Sequence, residues 1–352
     1  MNRDELISTV KGEGELPLIS GLDLSGKNYQ SVDIAGGTFN NVNFTNADLS
    51  SSNMKECNFV DCDFTGAILD KSNLTLASYI NPKFNKTRMQ QVRCNYTSFI
   101  DGEFVAADLS SSRLEFTSFI NPDLTDACMT GVIARNSNYM NAKLVKADLS
   151  NSQHTRCNII EADMTGIRLS DAVFDTIVFF KPDFTDYDFT STRLILCQFS
   201  EAILKGARFN GLDVTQCGFM QADLTGADFT GSVANNCLFI KSALKGAKFA
   251  GAQLNQALFN EATVSLCDFS NARMEQAQFV KAVCDGALFT RADLTYVDFS
   301  HAVLEGALID NAKLYRTNLH EINDANAIWQ GSDRSIALAT DEKKARAEKF
   351  VA

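Results

Sequence analysis

The chain has 352 residues, a formal net charge of −11, and 26 Phe against one Trp and four Pro. That acidic balance disfavours direct binding to nucleic-acid phosphates or to an anionic membrane. There is no run of about eighteen apolar residues for a transmembrane helix, and the opening, charged at Arg3, Asp4, Glu5 and Lys11, is no signal peptide, so a cytoplasmic protein is expected.

Residues 1–20 read as an N-terminal cap. A short helix over 3–11 would place Leu6, Ile7 and Val10 on one side, with Gly12 and Gly14 stopping it and Pro17 following. Such a cap covers strand edges and core that an open first coil would expose.

From residue 21 to 321 a five-residue pattern takes over, as in ADLSS, CDFTG, ADLTG and ADFTG. Stepping by five from Leu24 to Leu319 passes sixty large centres without insertion or deletion, and 23 of the 26 Phe fall on them. A small residue stands two before each centre, a variable and often charged one between, Thr or Ser after it and often Gly next. Period five fits neither a helix nor a flat strand. It fits a chain that turns a corner every five residues, sends two side chains inward per segment, and buries them only by stacking.

Ala-Asp-Leu/Phe, as at Ala47-Asp48-Leu49, Ala107-Asp108-Leu109, Ala147-Asp148-Leu149, Ala222-Asp223-Leu224, Ala227-Asp228-Phe229 and Ala292-Asp293-Leu294, resembles the motif of the pentapeptide repeat family. The resemblance implies an all-β fold: a right-handed quadrilateral parallel β-helix with twenty residues per coil. Sixty repeats would make about fifteen coils and, at a strand spacing of about 4.8 Å, a rod roughly 70 Å long.

Sorting the centres by twenty supports that circumference independently. One column runs Phe39, Phe59, Tyr79, Phe99, Phe119, Tyr139, Ile159, Phe179, Phe199, Phe219, Phe239, Phe259, Phe279, Phe299, aromatic at all but Ile159. The column before it is mixed and includes Cys94, Ala134, His154 and Phe174. Three prolines share the frames YINPKF, FINPDL and FFKPDF, with Pro82, Pro122 and Pro182 at the small inward position of one column. Lacking an N–H, each marks a corner that donates no coil-to-coil bond, and the residue before it should be extended.

Nothing points to catalysis or to a cofactor. Of ten Cys, Cys57, Cys62, Cys157, Cys197, Cys217, Cys237 and Cys267 take the small inward position, while Cys94 and Cys284 sit at centres. A straight ladder does not converge four ligands on zinc, so they read as small buried residues. His154 occupies a centre above Ala134, which leaves it room, and needs a hydrogen-bond partner. His301 and His320 fall in outward positions, and no nucleophile–base pair or phosphate loop can be assembled. The series Asp148, Arg168, Asp188, Arg208, Asp228, Lys248, Asp268 alternates charge coil by coil, a modest surface ladder.

One outward series is different. The residue after the centre is mostly polar in three columns, but in the fourth it runs Val60, Ile80, Ile100, Ile120, Met140, Ile160, Phe180, then, after Ser200, Met220, Ile240, Asn260 and Val280. An exposed apolar stripe of this kind marks an interface. Two blander readings compete: β-branched residues that shield one another on a stacked face, or a terminal segment laid over the stripe. Past residue 321 the register fails at Asp324. Ile328 and Trp329 would plug the last coil, and Thr340-Asp341 would cap a charged helix running to Phe350 within a C-terminal cap and tail, 322–352.

The reading is a non-enzymatic protein-binding scaffold, its partner a protein of unknown identity or a second copy in a homodimer. The resemblance admits two alternatives: a DNA mimic binding DNA gyrase, for which the acid columns are interrupted by Arg, and an effector or adaptor of a bacterial secretion system, suggested by GLDLSGKNYQSVDIAG behind a short helix. The latter would imply export without a signal peptide.

Overall fold

The computed structural model describes residues 1–12 and 18–349; Gly14, Pro17 and the expected helix end at Phe350 lie outside the described residues. The chain divides into two compact units, Met1–Pro182 and Asp183–Ala352.

The first unit opens with helix α1, Arg3–Val10, capped by Asn2, whose side chain accepts from the Glu5 N–H while Glu5 reaches back to the Asn2 N–H. This capping box satisfies two otherwise orphaned donors. Leu6 and Val10 are buried, and Arg3 donates to the Ser31 carbonyl. After the helix come strands of three residues each. On one face these are β1 (Leu18–Ser20), β2 (Thr38–Asn40), β3 (Asn58–Val60) and β4 (Ser78–Ile80). From there the chain alternates between two faces: β5 (Arg93–Asn95) then β6 (Ser98–Ile100), β7 (Arg113–Glu115) then β8 (Ser118–Ile120), β9 (Ile133–Arg135) then β10 (Asn138–Met140), β11 (Gln153–Thr155) then β12 (Asn158–Ile160), β13 (Val173–Asp175) then β14 (Val178–Phe180). All pairings are parallel at a twenty-residue offset, as in Phe59↔Tyr79, Phe99↔Phe119 and Cys94↔Leu114. The other two faces carry single rungs at the same offset, such as Asp63↔Lys83 and Lys83↔Glu103. This is a parallel β-solenoid whose circumference is the expected twenty residues.

Three backbone devices hold each coil. First, the residue two after nearly every centre has positive φ, between 49° and 62° for the non-glycine cases. That left-handed corner explains the frequent Gly there, and Asn or Asp tolerate it better than most side chains. The prolines need a correction at this point: Asn81, Asn121 and Lys181 have φ of 49°, 50° and 57°, so the residue before each Pro is the left-handed corner and not an extended one. The corner geometry is imposed by the coils above and below and overrides the local preference. Second, the Asp or Asn before a centre accepts the N–H of the residue after it, for instance Thr45 N to Asn43 Oδ1 at 2.9 Å and Ser50 N to Asp48 Oδ1 at 2.9 Å. The repeated Asp thus supplies an acceptor for a donor that points outward. Third, Ser, Thr and Cys at the small position donate to the carbonyl 23 residues back: Ser72 to Leu49 at 2.8 Å, Thr87 to Phe64 at 2.7 Å, Cys57 to Ile34 at 3.0 Å. The cysteines therefore do more than fill space. Cys57, Cys62, Cys237 and Cys267 tie their coils to the one below.

Inside, the expected aromatic column stacks face to face: Phe39–Phe59 at 4.8 Å, Tyr79–Phe99 at 5.0 Å and Phe99–Phe119 at 5.0 Å. A second ladder, Phe44, Phe64, Phe84 and Phe104, stands on the next face and meets the first edge-on, as in Phe59–Phe64 at 5.3 Å. Offset and edge-to-face pairs are the favourable aromatic geometries.

The second unit keeps the twenty-residue offset mostly through single rungs, such as Ile203↔Asp223 and Val283↔Val303. Its three-residue strands are β15 (Arg193–Ile195) and β16 (Gln198–Ser200). Rungs continue past residue 321, through Val303↔Asn323, Leu308↔Ile328 and Asn318↔Leu338. Ile328 is 52% exposed, so it does not plug the end; Trp329 lies beneath the Arg334 guanidinium, 4.4 Å from its ring centre. Helix α2, Glu342–Glu348, is capped by Asp341, which accepts from the Lys343 and Lys344 N–H groups.

Candidate functional site

Across the first unit the apolar row is laid down by the strand register. Val60, Ile80, Ile100, Ile120, Met140, Ile160 and Phe180 are the last residues of β3, β4, β6, β8, β10, β12 and β14, each directly opposite the next. Below Val60 the same place is held by Asn40. All seven are partly exposed, with Met140 at 39%. Helix α1 reaches Ser31 through Arg3, and Lys11 just after it reaches Asp33; neither contact is to this row.

The corner beside the row satisfies itself. Asn81 donates to Asp61 at 2.9 Å, Asn121 to Asp101 at 2.9 Å and Asn141 to Asn121 at 2.9 Å. Lys181 sits 4.8 Å from the Phe180 ring centre and 3.6 Å from Glu161. An open apolar row is therefore edged by polar groups already engaged with one another. In the second unit Met220 is 37% exposed and Ile240 and Val280 are half-buried, with Asn260 breaking the series and engaged with Gln278 and the Val280 N–H. The aromatic column there, Phe199, Phe219, Phe239, Phe259, Phe279 and Phe299, is buried throughout, as is Phe179 in the first unit.

The residues with chemical potential are held quiet. Burial pushes the Cys57 thiol up to about 12 and the Cys62 thiol up to about 11, so neither is a thiolate near neutrality. His154 is fully buried; its Nε2 lies 3.0 Å from Ser152 Oγ, which itself donates to the Leu149 carbonyl. The partner is thus a hydroxyl, and the Nδ1 atom has none. Ala134 lies directly below and Phe174 above, stacked at 5.1 Å. Burial lowers the imidazole pKa to about 4. The charge ladder closes in places: Arg168 meets Asp148 at 3.0 Å and Arg208 meets Asp188 at 2.8 Å. Burial pushes the Asp148 carboxyl up, but hydrogen bonds from Ser150 and Arg168 outweigh it and hold it below the usual range.

His320 departs from its outward expectation. It is 2% exposed beneath the C-terminal segment. Its Nδ1 accepts from the Asp341 N–H at 3.1 Å, which puts the ring proton on Nε2, 3.1 Å from Glu348 Oε2. His301 Nε2 lies 3.4 Å from the same oxygen. These three ligand atoms fall within 4.8 Å of one another and form the one group among the described residues with metal-ligand composition. A cation at Nε2 would have to displace the proton that the Asp341 contact fixes there. The set fits a hydrogen-bonded latch holding α2 better than a metal centre.

Two surface features escaped the sequence reading: a row of exposed Leu76, Tyr96 and Phe116, and a cluster of Lys71, Arg93, Arg113 and Arg135 beside it. The large residues at the corner position, where Gly or Asn is expected, were the available signal.

Among solved structures, the chain is similar to QnrB1, a plasmid-mediated fluoroquinolone resistance protein, at 16% identity over 57% of this chain and 91% of that one, with a TM-score of 0.38. It is similar to HetL, a pentapeptide repeat protein involved in heterocyst differentiation regulation from Nostoc sp. strain PCC 7120, at 22% identity over 74% and 92%, with a TM-score of 0.24. A pentapeptide repeat protein from the Arabidopsis thaliana thylakoid lumen matches at 26% identity over 27% and 66%, with a TM-score of 0.27. A search of the curated proteins found no match. Family comparison finds pentapeptide repeats in eight copies, at residues 30–66, 43–78, 57–93, 140–175, 183–221, 222–260, 267–306 and 287–323, together about two thirds of the chain. With that coverage, and with a parallel coil of twenty residues, the chain belongs to the pentapeptide repeat family.

Proposed function

We propose that the protein is a non-enzymatic binding scaffold whose apolar row, Val60 to Phe180, receives a protein partner or a second copy. The observation that carries this is the row itself: seven directly stacked apolar residues, partly open to water, beside a corner whose polar groups bond among themselves. A partner can cover the row without stranding a donor or acceptor. The buried thiols and the unprotonated His154 support a binding role over a catalytic one.

The test is the double variant Ile100→Lys/Ile120→Lys. Both side chains lie at the surface, so folding should persist by circular dichroism, while co-purification of the native partner, or self-association measured by light scattering, is lost. A folded double variant that keeps every partner and the same solution mass would sink the reading.

A further inference from the structure

The cluster that the sequence did not announce has a chemistry of its own. Arg93 starts β5, Arg113 starts β7 and Arg135 ends β9, with Lys71 at the corner one coil earlier; they line two hollows that share Arg93 and Arg113 and make up a shallow groove. All four are exposed, and none makes a side-chain hydrogen bond or ion pair among the described residues. The register sets Arg93 directly opposite Arg113. Like charges in that position destabilise a sheet. Elsewhere in the same unit several cations answer carboxylates on neighbouring coils: Arg88 with Asp70, Lys143 with Asp123, Arg168 with Asp148. In the groove, four cations meet one carboxylate, Glu115, which stands opposite Arg135 without closing an ion pair.

The corner that follows β5 and β7 is equally out of pattern. Leu76, Tyr96 and Phe116 occupy successive corners at 49%, 57% and 44% exposure, and the Tyr96 and Phe116 rings stack at 4.7 Å. Their φ values are 61°, 54° and 51°. Bulky side chains are rare in that region of backbone space, and an exposed one adds little to the fold. Two local costs, unanswered like charge and aromatics at left-handed corners, coincide on the same coils.

We propose that this groove docks an acidic protein segment, its carboxylates on Arg93 and Arg113 and an apolar side chain on the Tyr96–Phe116 stack. Guanidinium groups fork onto carboxylates, and the ring stack at the adjoining corner offers an apolar contact one residue beyond the strands. Charge favours a peptide over nucleic acid. A chain of net charge −11 offers four cations here, enough for a short acidic segment and few against a phosphate polymer that the rest of the surface repels. These residues are distinct from the apolar row, so the two surfaces can be tested apart.

The probe is a labelled short peptide alternating Glu and Leu, titrated against the full chain by fluorescence anisotropy. Its Gln-for-Glu counterpart and a short DNA duplex serve as comparisons. The acidic peptide should bind in preference to both and weaken with added salt. Arg93→Ala/Arg113→Ala should reduce its affinity on the order of tenfold or more, and Tyr96→Ala by a smaller factor. The double Arg variant should unfold at the same temperature or higher, because a like-charge pair is gone; a purely structural role for these arginines would lower it. Ile100→Lys/Ile120→Lys should leave peptide binding in place. Equal binding of the Gln peptide, tighter binding of the duplex, no binding by the unaltered chain, or indifference to the double Arg variant each overturns the proposal.

Discussion

The two units wind the same repeat in different ways. In the first, the aromatic column is partnered by a ladder on the next face, Phe44 to Phe104; in the second it is partnered by Phe209, Phe229, Phe249, Phe269 and Phe289, ten residues away and so two corners on, as in Phe219–Phe229 at 5.5 Å. The corner after the column differs too. From Ala222 to Ala302 in the second unit its N–H closes a tight turn onto the centre three residues back, as in Ala262 to Phe259 at 3.0 Å and Ala282 to Phe279 at 3.0 Å. In the first unit the equivalent Val42, Cys62, Gly102 and Ala142 make no such bond among the described residues, and the prolines stand only there. Where the turn bond is absent the face opens into true strands; where it is present the face shrinks to single rungs. One sequence period therefore supports two corner chemistries, and the flat strand face goes with the one that tolerates proline.

Cutting a ring from either double ladder should cost most. Phe99→Ala and Phe239→Ala each remove a fully buried ring stacked on both neighbours, with an expected loss of about 3–5 kcal/mol. Hydrogen exchange should show the loss confined to the unit that carries the change; loss spread evenly over both would erase the division.

His154, which belongs to the first unit alone, makes the next difference. Its folded pKa, about 4, lies below the unfolded value near 6.5, so on acidification the unfolded chain takes up a proton first. Stability from this group is intact above pH 6.5 and falls by about 3 kcal/mol as pH drops toward 4. His154→Leu should abolish that slope and, by removing an unpaired buried Nδ1, stabilise the protein near neutrality. Denaturant titrations at several pH values would reveal it, and an unchanged slope would refute the assignment.

Proline transplantation probes the corners directly. Ala142→Pro, in the first unit, should change stability by less than about 0.5 kcal/mol, whereas Ala262→Pro in the second deletes the turn bond to Phe259 and should cost about 1–3 kcal/mol. Equal effects would mean that the two corners are energetically alike. The smallest change is expected from Arg168→Ala, which opens a largely exposed ion pair to Asp148 and should cost between zero and about 1 kcal/mol, diminishing with salt.

The spacing of Leu24 to Leu319 was enough to read the coil, its circumference and the inward column, because a large residue at every fifth place has only one way to be buried. What stayed hidden depended on backbone groups that the side-chain pattern does not display. Nothing in the letters of Cys57 or Thr87 says that they reach a carbonyl 23 residues back. Nor did Asn121 betray a left-handed φ in front of a proline. The change of partner ladder, from Phe104 to Phe209, was present in the sequence but needed the remaining columns sorted as well. His320 was misplaced because an outward position becomes an inner one when a terminal segment lies over it. The apolar row was visible as a series; the groove beside it was not, because its cations and rings come from different registers of the repeat.

The uniform corner has a consequence for how such a chain can change. Because nearly every segment of five ends in the same left-handed turn, five residues are the smallest piece that can be added or lost without breaking a corner. Adding twenty lengthens the stack and leaves every column in line. Adding five carries each later side chain a quarter of the way around, so that Ile120 would come to lie above a residue of the neighbouring face instead of above Ile100. The same tolerance that makes the coil easy to extend lets a single small duplication break one surface and assemble another.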